Sequence, residues 1–332
     1  MQYVDSSILL NILSNLPFDE AKCFPLLNKN MANLYDCNSF YILLVDKFIK
    51  KYKLDLQELK TLFENRICRE QLYILEGLLF LKNWELIKKQ DYDFEELWNS
   101  QQLDLDNSDL KELPEQIVVL TNLQRLRLYN SSFEVIPKEI FHLTGLTFLI
   151  LNNNCLKSIS KEIAQLKNLK YLQLEKNQIK SIPKELFSLT ELSYLNLSEN
   201  QLESLPDEID NLINLRGLYL SNNKIKKIPK ITNLSNLLWF NLSHNEIESI
   251  DSELWNLPQL QEFFINKNRI KSVEGIENAS RLEYLGLDNN NIEAIPEDLT
   301  NLSRLIYLDI SCNNLDEKSI NVVKGLNCGV KY

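Results

Sequence analysis

From residue 100 onward, apolar and polar positions recur with a fixed period. Aligned on apolar-x-x-apolar-x-apolar-x-x-Asn-x-apolar, successive units begin at Ser100, Leu123, Leu146, Leu169, Leu192, Leu215, Leu237, Leu260, Leu282 and Leu305, in steps of 22 or 23 residues. The central apolar-x-apolar segment alternates with period two, the signature of a short strand buried on one face. The pattern is clearest at Leu169 to Ile179 (LKYLQLEKNQI) and Leu192 to Leu202 (LSYLNLSENQL). A unit this thin cannot bury its apolar side alone, whereas stacked units share one continuous core. Stacking sets Leu195, Leu197 and Leu202 over Leu218, Leu220 and Ile225, and predicts ten parallel strands, one per unit.

Two further columns follow from the alignment. Asn154, Asn177, Asn200, Asn223, Asn245, Asn268, Asn290 and Asn313 occupy one position, where an amide can satisfy both a donor and an acceptor in adjacent coils. Ser108 and Ser131 replace them in the first units. Pro114, Pro137, Pro183, Pro206, Pro229 and Pro296 open the return segments by fixing φ, with Ser160, Asp251 and Glu274 at the equivalent places. The closing coil needs a cap, and Asp316 to Lys324 reads as a short helix with Asp316 as N-cap and Gly325 as the left-handed C′ residue. The pattern is identified as that of a leucine-rich repeat array. The resemblance implies an α/β fold, a parallel β-sheet horseshoe of about ten repeats over residues 100–315, closed by a cap at 316–332.

Before Ser100 the period disappears and helical spacing takes over. Ile8, Leu9, Ile12, Leu13 and Leu16 form one apolar stripe that Pro17 ends, and later helices are expected over Tyr41 to Lys51, Leu56 to Phe63, Glu70 to Ile87 and Phe94 to Trp98. The order Ile8-Leu9, Ile12-Leu13-Ser14, Leu16-Pro17, then Leu27-Asn28-Lys29 and Ser39-Phe40, resembles an F-box, a helical module of some forty residues. Val4-Asp5 stands where that family usually opens with Leu-Pro, and Pro25 interrupts its second helix. The chain is therefore expected to hold an all-α domain, with an F-box-like module at 1–48 and a helical linker or cap at 49–99, ahead of the repeats.

Composition narrows the function classes. The chain has 332 residues, with 64 Leu and 39 Asn against 7 Gly, and a net charge of −10, which lacks the basic footprint of a nucleic-acid binder. The longest uncharged run, Ile140 to Leu156, carries His142, two Thr and three Asn, so no membrane span is expected. Six cysteines show no CxxC pairing, and the early residues lack the order of an export signal, which suits free thiols in the cytoplasm or nucleus. Two histidines, no metal-ligand spacing and no glycine-rich phosphate loop leave no catalytic residue, metal or cofactor to name.

What remains is a surface. Strand residues between the core leucines give a stripe of Arg125, Phe148, Tyr171, Tyr194, Trp239, Tyr284 and Tyr307 in one column and Arg127, Tyr219 and Phe264 in the next. Exposed aromatics are enriched at interface centres, although tyrosine also serves simply as a strand former. Trp239, Phe264 and Phe148 exceed what strand propensity requires, and the two arginines are the one basic spot on this face. The F-box resemblance implies a substrate receptor of a Skp-cullin-F-box ubiquitin ligase. Ile8, Leu9, Ile12, Leu13, Leu16, Pro17, Leu27 and Phe40 would dock on the Skp adaptor, while the concave face holds an unknown protein substrate. A plain intracellular repeat scaffold, or a pathogen or symbiont effector acting on host proteins, stays open beside it.

Overall fold

The computed structural model describes residues 94–332 throughout and, before them, Gly77, Phe80, Leu81, Trp84 to Lys88, Gln90 and Tyr92. The F-box-like stretch, with Ile8, Leu9, Ile12, Leu13, Leu16, Pro17, Leu27 and Phe40, lies outside the described residues, as do the helices expected over Tyr41 to Lys51 and Leu56 to Phe63. The chain divides into two compact units, Met1–Asn99 and Ser100–Tyr332.

In the first unit, α1 (Glu85–Lys88) and α2 (Phe94–Trp98) are short, and Leu81, Ile87 and Leu97 are buried. The helix expected over Glu70 to Ile87 is not continuous. The Trp84 amide is shared between the Phe80 and Leu81 carbonyls, at 2.9 and 3.0 Å, and Trp84 stands at a bend before α1 begins. Such a bifurcated bond tightens the last turn and ends a helix.

The second unit is a solenoid whose strands form one parallel sheet in chain order. They are β1 (Gln102–Asp104), β2 (Arg125–Arg127), β3 (Phe148–Ile150), β4 (Tyr171–Gln173), β5 (Tyr194–Asn196), β6 (Gly217–Tyr219), β7 (Trp239–Asn241), β8 (Glu262–Phe264), β9 (Tyr284–Gly286), β10 (Tyr307–Asp309) and β11 (Gly329–Lys331). The first ten fall at the third to fifth positions of the repeat. The eleventh, absent from the sequence pattern, pairs Gly329 with Tyr307 and Lys331 with Asp309. The middle residue of each of the first ten strands is fully buried, and Leu195 sits in register with Leu218.

The asparagine column forms a hydrogen-bonded ladder. Asn200 donates from Nδ2 to the carbonyls of Leu174, Leu197 and Ser198 at 2.9, 3.1 and 3.1 Å, while its Oδ1 accepts from the Ile179 amide at 3.0 Å. One side chain thereby ties two coils and gives partners to four backbone groups of the buried turn. The residue before each of these asparagines, from Asn153 to Cys312, has φ between 53° and 58°, so every coil turns through one left-handed residue. At the array's start the ladder is thinner: Ser108 Oγ donates to Leu105 O at 2.6 Å and meets Ser131 Oγ at 3.3 Å.

Return segments are 3-10 turns, opened by Pro114, Pro137, Ser160, Pro183, Pro206, Asp251, Gly275 and Pro296. Pro229 opens no helix. Its unit is one of the two that are a residue short, and in the other the helix shrinks to Ile276–Asn278 behind Gly275 at φ 85°. Deletions are thus absorbed on the return side, and strand register is undisturbed. The final helix, α3 (Glu317–Lys324), is N-capped by Asp316, whose Oδ1 accepts from the Ser319 amide at 2.7 Å. Gly325 differs from expectation: its φ is −81°, and its amide still bonds the Asn321 and Val322 carbonyls, so the helix ends without a left-handed residue.

Candidate protein-binding face

Because side chains alternate along a strand, the residues flanking each buried leucine project from the open face of the sheet. All ten of the residues singled out in the stripe stand there, at the first or third position of their strands. The structure divides them into two groups.

The first group is engaged with itself. The rings of Phe148 and Tyr171 stack at a centroid distance of 4.0 Å and an interplanar angle of 9°; Tyr171 and Tyr194 follow at 5.7 Å, and Tyr194 and Tyr219 at 4.9 Å. Arg125 covers Phe148 with its guanidinium carbon 4.4 Å from the ring centroid. Gly217 makes room for this run, since a Cβ there would lie 2.8 Å from the Tyr194 ring and 2.9 Å from that of Tyr219. Burial, reinforced by a hydrogen bond with Tyr194, raises the Tyr219 phenol well above its ordinary pKa.

The second group is Trp239, Phe264, Tyr284 and Tyr307. Among the described residues none of them stacks on another ring or lies under a cation. Tyr284 and Tyr307 are exposed, and Trp239 and Phe264 are half-buried. Phe264 lies across Gly286, where a Cβ would come within 2.7 Å of its ring. Phe240, directly after Trp239, and Phe263, directly before Phe264, face the other way. Their rings meet in the core at 5.5 Å, with Trp255 edge-on to Phe263 at 5.4 Å.

The two arginines differ in their pairing. Arg127 donates through Nε to Asp106 Oδ2 at 3.0 Å, pairs through its terminal nitrogen with the same oxygen, and lies 3.2 Å from Asp104. The Asp106 hydrogen bond raises the Arg127 pKa further. Arg125, by contrast, is exposed and lies on the Phe148 ring, so only Arg127 is neutralised within the chain. At the other end, burial of Asp309 is outweighed by hydrogen bonds from Ser311 and Lys331, which hold its carboxylate below the usual range. The Arg127 pairing has a signal in the repeat alignment, which sets Asp104 beside Arg127 one coil away.

Polar side chains beside the rings bond to one another and to the backbone. Asn152 Oδ1 accepts from the Glu175 amide at 2.9 Å, Asn196 donates to Glu175 at 3.1 Å, and Ser243 bonds Asn266. Among the described residues, no group of three or more His, Cys, Asp or Glu side chains converges to hold a metal ion, and no helix is long and apolar enough to cross a membrane. His142 is exposed on a return segment and His244 on a left-handed turn.

Comparison with known proteins follows the same division of the chain. A family model described as a leucine-rich repeat region matches residues 153–274, and two leucine-rich repeat models match 121–179 and 281–302. No family model places an F-box in the chain, and no curated protein matches it. Among solved structures the chain is similar to a leucine-rich repeat protein of Leptospira interrogans, at 31% identity and TM-score 0.55 over 70% of this chain and 72% of that one. It is also similar to the functional domain of InlJ from Listeria monocytogenes, at 25% identity and TM-score 0.60 over 70% and 48%. The plant peptide hormone receptor RGFR1, solved in complex with RGF2, matches at 29% identity and TM-score 0.58 over 66% and 38%. The chain spans about half or less of the length of the latter two.

Proposed function

The chain belongs to the leucine-rich repeat family, and from that premise we propose that it is a non-catalytic protein that captures a protein segment on the open face of its sheet. The observation that carries the reading is the second aromatic group: Trp239, Phe264, Tyr284 and Tyr307 present rings that no neighbouring ring or cation among the described residues occupies. Large rigid rings give contact area at low entropic cost, which is why they concentrate binding energy. The test compares the proteins recovered on the immobilised parent chain and on a Trp239→Ala/Phe264→Ala variant. Partners lost with the variant and kept with an Arg216→Ala control support the reading; an unchanged set contradicts it.

A finer role rests on the order of residues at the N-terminus. Ile8, Leu9, Ile12, Leu13, Leu16 and Pro17, followed by Leu27 and Phe40, favour an F-box that docks a Skp adaptor and, through it, a cullin. The chain would then be a substrate receptor in the cytoplasm or nucleus, raising the effective concentration of a captured protein near a ubiquitin-charged enzyme on other subunits. Co-purification with a Skp adaptor, lost on Leu13→Asp or Leu16→Asp, is the expected result. Absence of a complex with the parent chain removes the ligase role and leaves a repeat scaffold. A third reading is an effector acting on host proteins, which recovery of the chain from culture medium would support.

A further inference from the structure

We propose that Trp239, Glu262 and Tyr284 form a subsite for one cationic side chain, lysine or arginine, of the captured protein segment. The proposal rests on the open face being the capture surface and adds the chemistry of what it takes.

The three residues make a row across adjacent strands: Trp239 is in register with Glu262, and Glu262 with Tyr284. Strand spacing of about 4.8 Å sets a carboxylate between two aromatic side chains on one face of the sheet. Glu262 is half-buried, and among the described residues its carboxylate has no hydrogen-bond or ion-pair partner. Acids nearer the ends of the face are matched within the chain, Asp104 and Asp106 by Arg127, and Asp309 by Lys331. Glu262 has neither a counter-charge nor a hydrogen-bond donor among the described residues.

The chain already shows the complementary geometry elsewhere. Arg125 and Phe148 are register partners on β2 and β3, and there the protein's own guanidinium covers the ring at 4.4 Å. At Trp239 and Tyr284 the same kind of ring, with a carboxylate between, has no internal cation among the described residues. A cation over an aromatic face is attracted by the ring quadrupole, most strongly over tryptophan, and a neighbouring carboxylate adds a charge-assisted hydrogen bond. A chain of net charge −10 also draws a basic partner over longer range.

The test uses the full chain labelled with 15N-tryptophan, with the indole signal of Trp239 identified by its loss in Trp239→Phe. The probes are N-acetyl-arginine amide and N-acetyl-lysine amide, with neutral N-acetyl-citrulline amide as the isosteric control. Saturable movement of the Trp239 signal with either cation but not with citrulline, weakened about tenfold in Glu262→Gln and also weakened in Tyr284→Leu, is expected. Equal response to citrulline, no response to either cation, or affinity unchanged in Glu262→Gln overturns the subsite. If Trp239→Ala/Phe264→Ala loses its partners while Glu262→Gln keeps both partners and probe affinity, only the subsite fails. If the double variant keeps its partners, the capture surface itself is wrong.

Discussion

The ring of Phe148 lies parallel to that of Tyr171, their centroids 4.0 Å apart, while Arg125 approaches Phe148 from the neighbouring strand. Phe148 therefore commits its faces to contacts within the sheet, although its bulk singles it out in the sequence as strongly as that of Trp239 or Phe264. The same holds for Tyr171, which stacks on both sides. Tyr171→Ala is expected to remove two ring pairs, costing about 1–3 kcal/mol, with partner capture kept. Chemical denaturation beside a capture assay checks this; a variant that melts normally but loses partners assigns Tyr171 to the interface.

Asn200 makes four hydrogen bonds to backbone groups of two coils. Replacing it by Leu leaves the Ile179 amide and several carbonyls buried without partners. The expected loss is about 2–4 kcal/mol of unfolding free energy, read from urea denaturation. A loss below about 0.5 kcal/mol would show that the ladder contributes little.

Where the Pro229 unit lacks its 3-10 turn, Asp210 of the preceding coil supplies acceptors instead. Its Oδ1 accepts from the amides of Thr232 and Asn233 at 2.9 and 2.7 Å, and its Oδ2 from their side chains at 3.1 and 2.8 Å. Asp210→Ala is expected to cost about 1–2 kcal/mol and to raise amide hydrogen exchange at Thr232 and Asn233. Unaltered exchange there would refute the compensation.

Tyr219 is held neutral by burial and by Tyr194. Its folded pKa lies above the unfolded value of about 10, so its contribution to stability is complete below pH 10 and falls away as pH rises past that point, when the unfolded chain ionises first. Unfolding free energy followed from pH 8 upward should therefore decline more steeply in the parent than in Tyr219→Phe. Identical slopes would place the phenol in ordinary solvent.

The repeat period located ten strands because each thin coil depends on the same leucine positions for burial, and burial repeats as strictly as the coil does. The last strand escaped because Gly329-Val330-Lys331 completes no unit; it is recruited by backbone pairing with β10, which leaves no apolar signature. The candidate face was legible as a column of rings, but its division was not. Which rings stack depends on glycines at Gly217 and Gly286 and on side-chain rotation, neither of which periodicity encodes. Ahead of Ser100 no period constrains the reading, and the broken helix at Trp84 shows how little apolar spacing alone fixes there.

If the open-face rings serve recognition while their immediate neighbours hold the fold, adjacent positions must respond differently to truncation. Phe263 and Phe264 are consecutive, the first fully buried and the second on the open face. Calorimetric melting of Phe263→Ala beside Trp239→Ala/Phe264→Ala separates the two roles. The core variant is expected to melt roughly 6–15 °C lower, from a loss of about 3–5 kcal/mol, and the double variant less than about 4 °C lower. A double variant that falls as far as the core variant would make the rings part of the fold and leave the open face without its anchors.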